Sequence, residues 1–210
     1  MANGGIKNGA RAGVRGIAII GVLTALTVVT TMFTKVPISA VQGYFNLGDT
    51  VVLAAGVLFG ANTGAFAGAV GSALADVLSG AYIFAPVTFI VKGLEGYIAG
   101  RLYGGGSNGA GAGANAGAGA NAGAGANAGR GGRSGLKSFK GRRLALALIA
   151  GAAVMVFGYF IAETAVLSLF DPAFGIGAAI SELPVNLVQG GISAVLARVV
   201  IEGFKRSKLV

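Results

Sequence analysis

Apolar positions in this 210-residue chain fall in long runs. Ile17–Thr34 carries no charge and stops at Lys35 and Pro37. A helix needs ~20 apolar residues to cross a bilayer core, so this run predicts a transmembrane helix. A secretory signal is the alternative, but no clean small-residue cleavage site follows the run. Thr50–Gly60, reaching back to Leu47, and Ala65–Leu78 are shorter apolar helices. The turn signal Asn62-Thr63-Gly64 separates them. Pro86–Tyr103 opens with proline in a permitted first-turn position. Leu144–Phe170 is long enough to span and is broken by Asp171-Pro172, and Ser181–Phe204 ends at Lys205, Arg206 and Lys208. Ser79–Ala85 and Gly175–Ala179 read as loops. The pattern predicts an all-α polytopic membrane protein, a six-transmembrane-helix bundle with helices 1–4 in 17–103 and helices 5–6 in 143–204. A single re-entrant hairpin is the rival reading of the short pair.

Composition supports a membrane setting. Apolar residues make up 54% and charged residues 11%, whereas a soluble domain carries about 25% charge. With no Cys and no His, disulfides, thiol catalysis and the commonest zinc ligands and general base are excluded. Residues 104–142 are almost entirely Gly, Ala, Asn and basic residues, and a GAGANA unit recurs within them. Such a segment buries too little to offset its ordering entropy, and it reads as a disordered linker. Too few units recur for a stacked repeat structure.

Charge sets the orientation. With the basic head 1–16 inside, six crossings also place the 61–64 turn, the linker and the basic tail 205–210 inside. Those segments hold Lys7, Arg11, Arg15, Arg130, Arg133, Lys137, Lys140, Arg142, Arg143, Lys205, Arg206 and Lys208, while the outer segments hold Lys35 alone. Cationic loops stay cytoplasmic, so both termini are expected to be cytosolic in a multi-pass protein of the cell membrane. This bias accounts for the net charge of +9 with no nucleic acid; the linker's basic end lacks the interleaved aromatics that stack on bases.

Charges at membrane depth cost a few kcal/mol each, and here they recur at helical spacing. Ser72, Asp76 and Ser79 lie at i, i+4, i+7; so do Thr88, Lys92 and Glu95. Tyr159 and Glu163 lie at i, i+4, and Glu182, Asn186, Gln189 and Ser193 continue the spacing on the last helix. Each set shares one helical face, and lipid cannot accept it, so the stripes should converge inside the bundle. At ~1.5 Å per residue, Asp76, Lys92, Glu163, Asn186 and Gln189 share a layer in the outer half of the membrane. Asn46 and Asp49 approach that layer from the 36–49 segment. The functional reading is an outward-facing polar pocket covered by that segment. The competing reading is interhelical glue, at about 0.6 kcal/mol per hydrogen bond, with Lys92 and Asp76 or Glu95 as a structural ion pair. Glu163 has no basic neighbour on its own helix, and the amides of Asn186 and Gln189 suit the edge of a heterocycle.

Gly64, Gly68, Gly71 and Ala75 form a smooth ridge for close helix packing, and Gly96 and Gly100 repeat it. Gly21 and Ala25 form a small-xxx-small pair that either packs internally or docks a partner subunit. No P-loop, HExxH, GxSxG or paired-Asp cluster is present. No catalytic residue, cofactor or metal site is expected, and the chain is read as a non-enzyme.

The strings NLGD (46–49), GAVGSALADVLSG (68–80), APVTFIVKGLEGYIAG (85–100), GYFIAET (158–164) and ELPVNLVQ (182–189) together resemble the substrate-binding S component of an energy-coupling factor (ECF) vitamin transporter. The likeness is to the riboflavin-type, or vitamin-uptake, branch, over about 17–103 and 143–204. The resemblance implies a six-helix bundle with cytosolic ends. It also implies high-affinity capture of a vitamin or precursor from outside, a loop capping the site, and association with a membrane T component and two ATP-binding-cassette ATPases. Carried over by position, the binding set is Asn46, Asp49, Lys92, Glu95, Glu163, Asn186 and Gln189; Asp76 and Tyr159 join it from the stripes above. The family's first helix often docks the T component through Ala-xxx-Ala, for which Gly21 and Ala25 are the nearest match. The rival function is a stand-alone proton-coupled transporter or channel for a small polar solute, relaying protons through Asp76, Glu95 and Glu163.

Overall fold

The computed structural model describes residues 3–37, 44–104 and 132–207, with side chains from 14–37, 44–104 and 141–207. Six α-helices run through them: α1 Asn3–Phe33, α2 Gly48–Phe59, α3 Ala61–Leu78, α4 Ala85–Gly104, α5 Gly132–Ala165 and α6 Ile176–Arg206. Between α1 and α2, strands β1 (Val36–Pro37) and β2 (Tyr44–Phe45) pair antiparallel, Val36 opposite Phe45 and Pro37 opposite Tyr44. A 3₁₀ turn, Leu167–Leu169, follows α5.

Several boundaries differ from the sequence reading. The break between α2 and α3 falls on Gly60, at φ 99, and Asn62-Thr63-Gly64 lies inside α3. One glycine in positive φ turns the chain, so no longer turn is needed. The 175–179 loop shrinks to Gly175 (φ 141), and α6 starts at Ile176 and carries Pro184 within its length. Helix α5 begins at Gly132 rather than Leu144 and ends before Phe170, so the basic end of the expected linker is helical. Residues 105–131 of that linker, 38–43 of the covering segment, and Met1, Ala2 and 208–210 lie outside the described residues.

The bundle is inside-out in polarity. Lys92, Glu95, Asp49, Asp76, Glu163 and Glu182 are buried, while Val22, Phe89, Ile149, Phe157, Val195 and Val199 are exposed. Three helical stretches are long and apolar enough to cross a membrane, Val14–Phe33, Gly141–Leu169 and Ile176–Arg206. Helix α4 falls short of that standard because it carries Lys92, Glu95 and Arg101. Helix α2, with 12 residues, spans only about 18 Å at ~1.5 Å per residue. It touches every other helix, whereas α1 and α6 do not touch each other. Apolar packing forms two layers. Leu53, Val57, Leu144, Leu148 and Ile201 fill one between α2, α5 and α6. Phe84, Val91, Met155, Val156 and Phe174 fill the other, nearer the β-ribbon.

The glycine ridge packs as expected. A Cβ on Gly64 would stand 2.5 Å from Gly56 Cα, and one on Gly100 would stand 2.6 Å from Ala61 Cα. A Cβ on Gly71 would meet Thr27 Cβ of α1 at 2.7 Å. By contrast, nothing lies within 4 Å of a Cβ on Gly21. Gly64→Val should therefore force backbones apart and cost about 1–3 kcal/mol or more, visible as a lower melting temperature in detergent. Gly21→Val should leave the melting temperature unchanged. Equal shifts for the two would contradict this packing.

Candidate functional site

The polar stripes meet at the ribbon end of the bundle, around the first turn of α2. Its entry is fixed locally: Asn46 Oδ1 accepts from the Gly48 N–H at 2.8 Å, and the Leu47 N–H donates to Thr34 Oγ1 at 2.8 Å. These bonds hold Asp49 with its carboxylate turned into the bundle, 1% exposed. Lys92 of α4 donates to Asp49 Oδ1, and its ammonium lies 3.2 Å from Glu95 Oε2. Lys92 is 3% and Glu95 0% exposed. From α6, Gln189 Nε2 donates to Asp49 Oδ2 at 2.9 Å, while its Oε1 accepts from the Asn46 N–H at 2.8 Å. One network thus ties the ribbon, α2, α4 and α6 together. The Lys92 ammonium also lies 5.4 Å from the centre of the Tyr159 ring.

A second group hangs from the ribbon. The Tyr44 hydroxyl donates to Asp76 of α3, and Lys35 stands 3.6 Å over the Tyr44 ring. Burial, with Asp76 beside it, pushes the Tyr44 hydroxyl above its usual range, which keeps it a proton donor. Burial also pulls Lys35 below the usual lysine range, against the opposing pull of Asp76. Thr88 bonds Asp76 as well and lies 2.9 Å from the Tyr159 hydroxyl.

Between these groups lies a chamber walled by Tyr44 and Asn46 of the ribbon segment, Phe84 and Thr88 at the start of α4, Tyr159 of α5, and Glu182, Asn186 and Gln189 of α6. Its cavity volume is only about 30 Å³, against ~300–1,000 Å³ for pockets that hold drug-sized ligands. The chamber is narrow, so an organic ligand must part its walls.

Of the expected site residues, Asn46, Tyr159, Asn186 and Gln189 line this chamber. Asp49, Lys92 and Glu95 form the ion-paired layer adjoining it through Gln189 and Tyr159. Lys92 pairs with Asp49 and Glu95, not with Asp76, because Tyr44 and Thr88 already serve Asp76. Glu163 is buried beside Glu182, one step removed from the lining. Tyr44, Phe84, Thr88 and Glu182 line the chamber without having been singled out as binding residues. Thr88 and Glu182 were visible in the helical stripes. Tyr44 and Phe84 lie outside regular helical spacing and left no periodic signal. Gly21 and Ala25 are exposed, which removes internal packing as their role among the described residues. No set of three or more Asp, Glu, His and Cys side chains is placed to hold a metal ion among those residues.

The network makes Lys92 the most costly side chain to remove. Lys92→Met strands two buried carboxylates and should lower stability by about 3–5 kcal/mol. The exposed pair Arg198–Glu202, 2.8 Å apart, should contribute at most about 0.5 kcal/mol, so Arg198→Met is the control. Thermal unfolding in detergent compares them, and a small shift for Lys92→Met would show that the clamp is not the organising contact.

Comparison with known proteins places this architecture. The signature of a family described as "ECF-type riboflavin transporter, S component" matches residues 11–206. A Pyrococcus woesei protein, described as an uncharacterized protein in the gap 3′ region, is 34% identical over 161 residues, covering 77% of this chain and 82% of that one. Among solved structures, the S component of a bacterial ECF transporter superposes with a TM-score of 0.63 at 17% identity, over 91% of this chain and 95% of that chain. At that identity the superposition establishes the fold alone. The family is one of transporter subunits, not of enzymes, and with its signature running from the first helix to the last, this chain belongs to the ECF-type riboflavin transporter S components.

Proposed function

We propose that this protein is the substrate-binding subunit of an ECF-type importer. It captures a small vitamin or vitamin precursor from outside the cell and does no chemistry on it. The observation that carries this reading is the chamber itself. Asn46, Tyr159, Asn186 and Gln189 reach it from three separate elements, and the Asp49–Lys92–Glu95 layer backs it. Paired amides with an aromatic ring suit the edge and face of a heterocycle.

All six helices cross or fill the membrane in this reading. Helix α2 is sheltered by its neighbours, α3 is partly so, and Lys92 and Glu95 of α4 are buried inside the bundle, so none of the three needs the apolar length of α1, α5 or α6. Both termini are cytosolic, since the basic segments gather at their end. The ribbon covers the chamber on the outer side.

A T component and two ATP-binding-cassette ATPases supply the energy. The docking face for the T component runs along α1, where Gly21 and Ala25 are outward and no side chain stands over Gly21. Helix α2 packs against both α1 and α6, which make no contact with each other among the described residues. A partner helix can approach closely across small residues.

Purification with retained ligand, mass spectrometry of the extract and calorimetry of the stripped protein test this reading. A vitamin-class compound should bind below about micromolar Kd, that is, at more than ~8 kcal/mol. Proton-coupled uptake by this chain alone in liposomes, with no such binding, would favour the stand-alone transporter. Gly21→Leu together with Ala25→Leu should leave ligand affinity unchanged and abolish co-purification with the T component. Retained co-purification would place the docking face elsewhere.

A further inference from the structure

Helix α4 starts beside the chamber, so its last turn lies at the opposite end of the bundle, with the start of the α5 span and the end of α6. Two cations are seated on that last turn. Arg143 Nε of α5 donates to the Leu102 carbonyl at 2.8 Å. Lys205 Nζ of α6 donates to the Tyr103 hydroxyl at 2.6 Å and lies 4.4 Å from the centre of its ring. Tyr103 packs against the apolar layer that contains Leu144 and Ile201. Leu144 follows Arg143, and Ile201 precedes Lys205 by one turn, so both cations are tied to fixed parts of the core. These bonds use one of the five donors of a guanidinium and one of the three of an ammonium. Arg101, Arg142 and Arg206 stand exposed at the same ends of α4, α5 and α6, and α5 runs back to Gly132 through a sequence that adds Arg133, Lys137 and Lys140. Of the chain's acids, Glu202 alone lies at this end, and Arg198 pairs with it at 2.8 Å.

Behind the charges the surface turns apolar within a turn or two. Leu102, Leu146 and Ile149 are exposed, as are Val199, Val200 and Phe204. An apolar groove of about 330 Å³ runs over Val200, Gly203 and Phe204 and ends at Ser207, next to Arg206. A free anion or an acidic soluble partner would answer the charges and leave these side chains bare. A molecule with an anionic head and apolar chains answers both.

We propose that this end of α4, α5 and α6 is a binding site for an anionic phospholipid. Arg143 and Lys205 anchor its headgroup phosphate, and the exposed apolar residues behind them seat its chains. Basic recesses between membrane helices on the cytosolic side hold anionic headgroups. Arginine offers phosphate paired N–H donors, and both side chains keep their charge at the interface while laying apolar stems along the bundle. The site lies across the bundle from the chamber and does not depend on the chamber's ligand.

Native mass spectrometry with lipid titration of the delipidated full-length chain, in a neutral detergent, tests the site. The probes are dioleoylphosphatidylglycerol, dioleoylphosphatidylcholine, inorganic phosphate and a hexaglutamate peptide. The anionic lipid should bind at least about fivefold tighter than the zwitterionic one, which has the same chains, and tighter than phosphate or the peptide. Arg143→Gln and Lys205→Gln should each weaken it about fivefold, and together about 25-fold, the effect of one interfacial charge apiece. Arg15→Gln lies on α1, which touches none of α4, α5 and α6 among the described residues, and should weaken it less than about twofold, since separated exposed charges are screened. Equal binding of the two lipids would overturn the anionic site. Phosphate or hexaglutamate binding as tightly as the anionic lipid would make a free anion or an acidic partner the occupant and overturn the lipid assignment. Equal losses at Arg15, Arg143 and Lys205 would show diffuse attraction instead of a site. The wild-type ranking of the probes needs no variant, so it decides the assignment even if a substitution disturbs folding.

Discussion

Burying an ammonium ion among helices costs several kcal/mol unless its partners are close and their remaining valences are filled. Lys92 has close partners from separate parts of the chain. Asp49 and Glu95 flank it, and Gln189 fills the second oxygen of Asp49. Asp49 in turn depends on the cap that Asn46 gives the start of α2. Moving any one of these elements by a bond length exposes a charge to an apolar bundle. The clamp thus fixes the relative placement of α2, α4 and α6 more sharply than non-directional apolar packing would.

Such a clamp needs helices that come very close, which the glycine ridge provides. Gly56, Gly64, Gly96 and Gly100 bring the backbones of α2, α3 and α4 against one another. Helix α2 is short enough to sit centrally without crossing a full bilayer, and it touches all the others. Its first turn carries Asp49, and its body carries Leu53 and Val57 into one of the two apolar layers. The same helix therefore ends in the polar network and roots in the core. That continuity is why the chamber can be polar without softening the fold.

Much of this was legible in the chain. Apolar runs marked the six helices, and i, i+4, i+7 spacing pointed to a converging set of polar side chains, because a lipid surface leaves such stripes no other place. What the spacing could not give was pairing. Asp49 lies off the stripes, one residue into α2, so its claim on Lys92 was hidden. Asp76 was left as a possible Lys92 partner because Tyr44, which serves it, sits on a two-residue strand with no periodicity. Helix ends failed for a different reason. Gly60 and Gly175 each turn the chain with a single positive φ, so turn-like composition around them overstated the loops. Helix α5 extends back to Gly132 through residues whose composition alone favours a linker. The family resemblance drew on ordered strings over most of the chain, and it named the architecture more securely than any single motif could.

The cover and the clamp are not separable. Gln189 holds the Asn46 backbone with its oxygen and Asp49 with its amide nitrogen. Parting the ribbon from α6 to widen the chamber breaks the first bond and frees the side chain that supports the second. Tyr44 adds a parallel link, since the same movement draws its hydroxyl from Asp76. A ligand that replaces these ribbon contacts with its own would restore what opening removes, whereas an opened, unfilled chamber leaves acceptors without donors at membrane depth. In the proposed receptor, a ligand is therefore favoured by how completely it satisfies the groups that opening exposes, and its hydrogen-bonding groups count beside its apolar area.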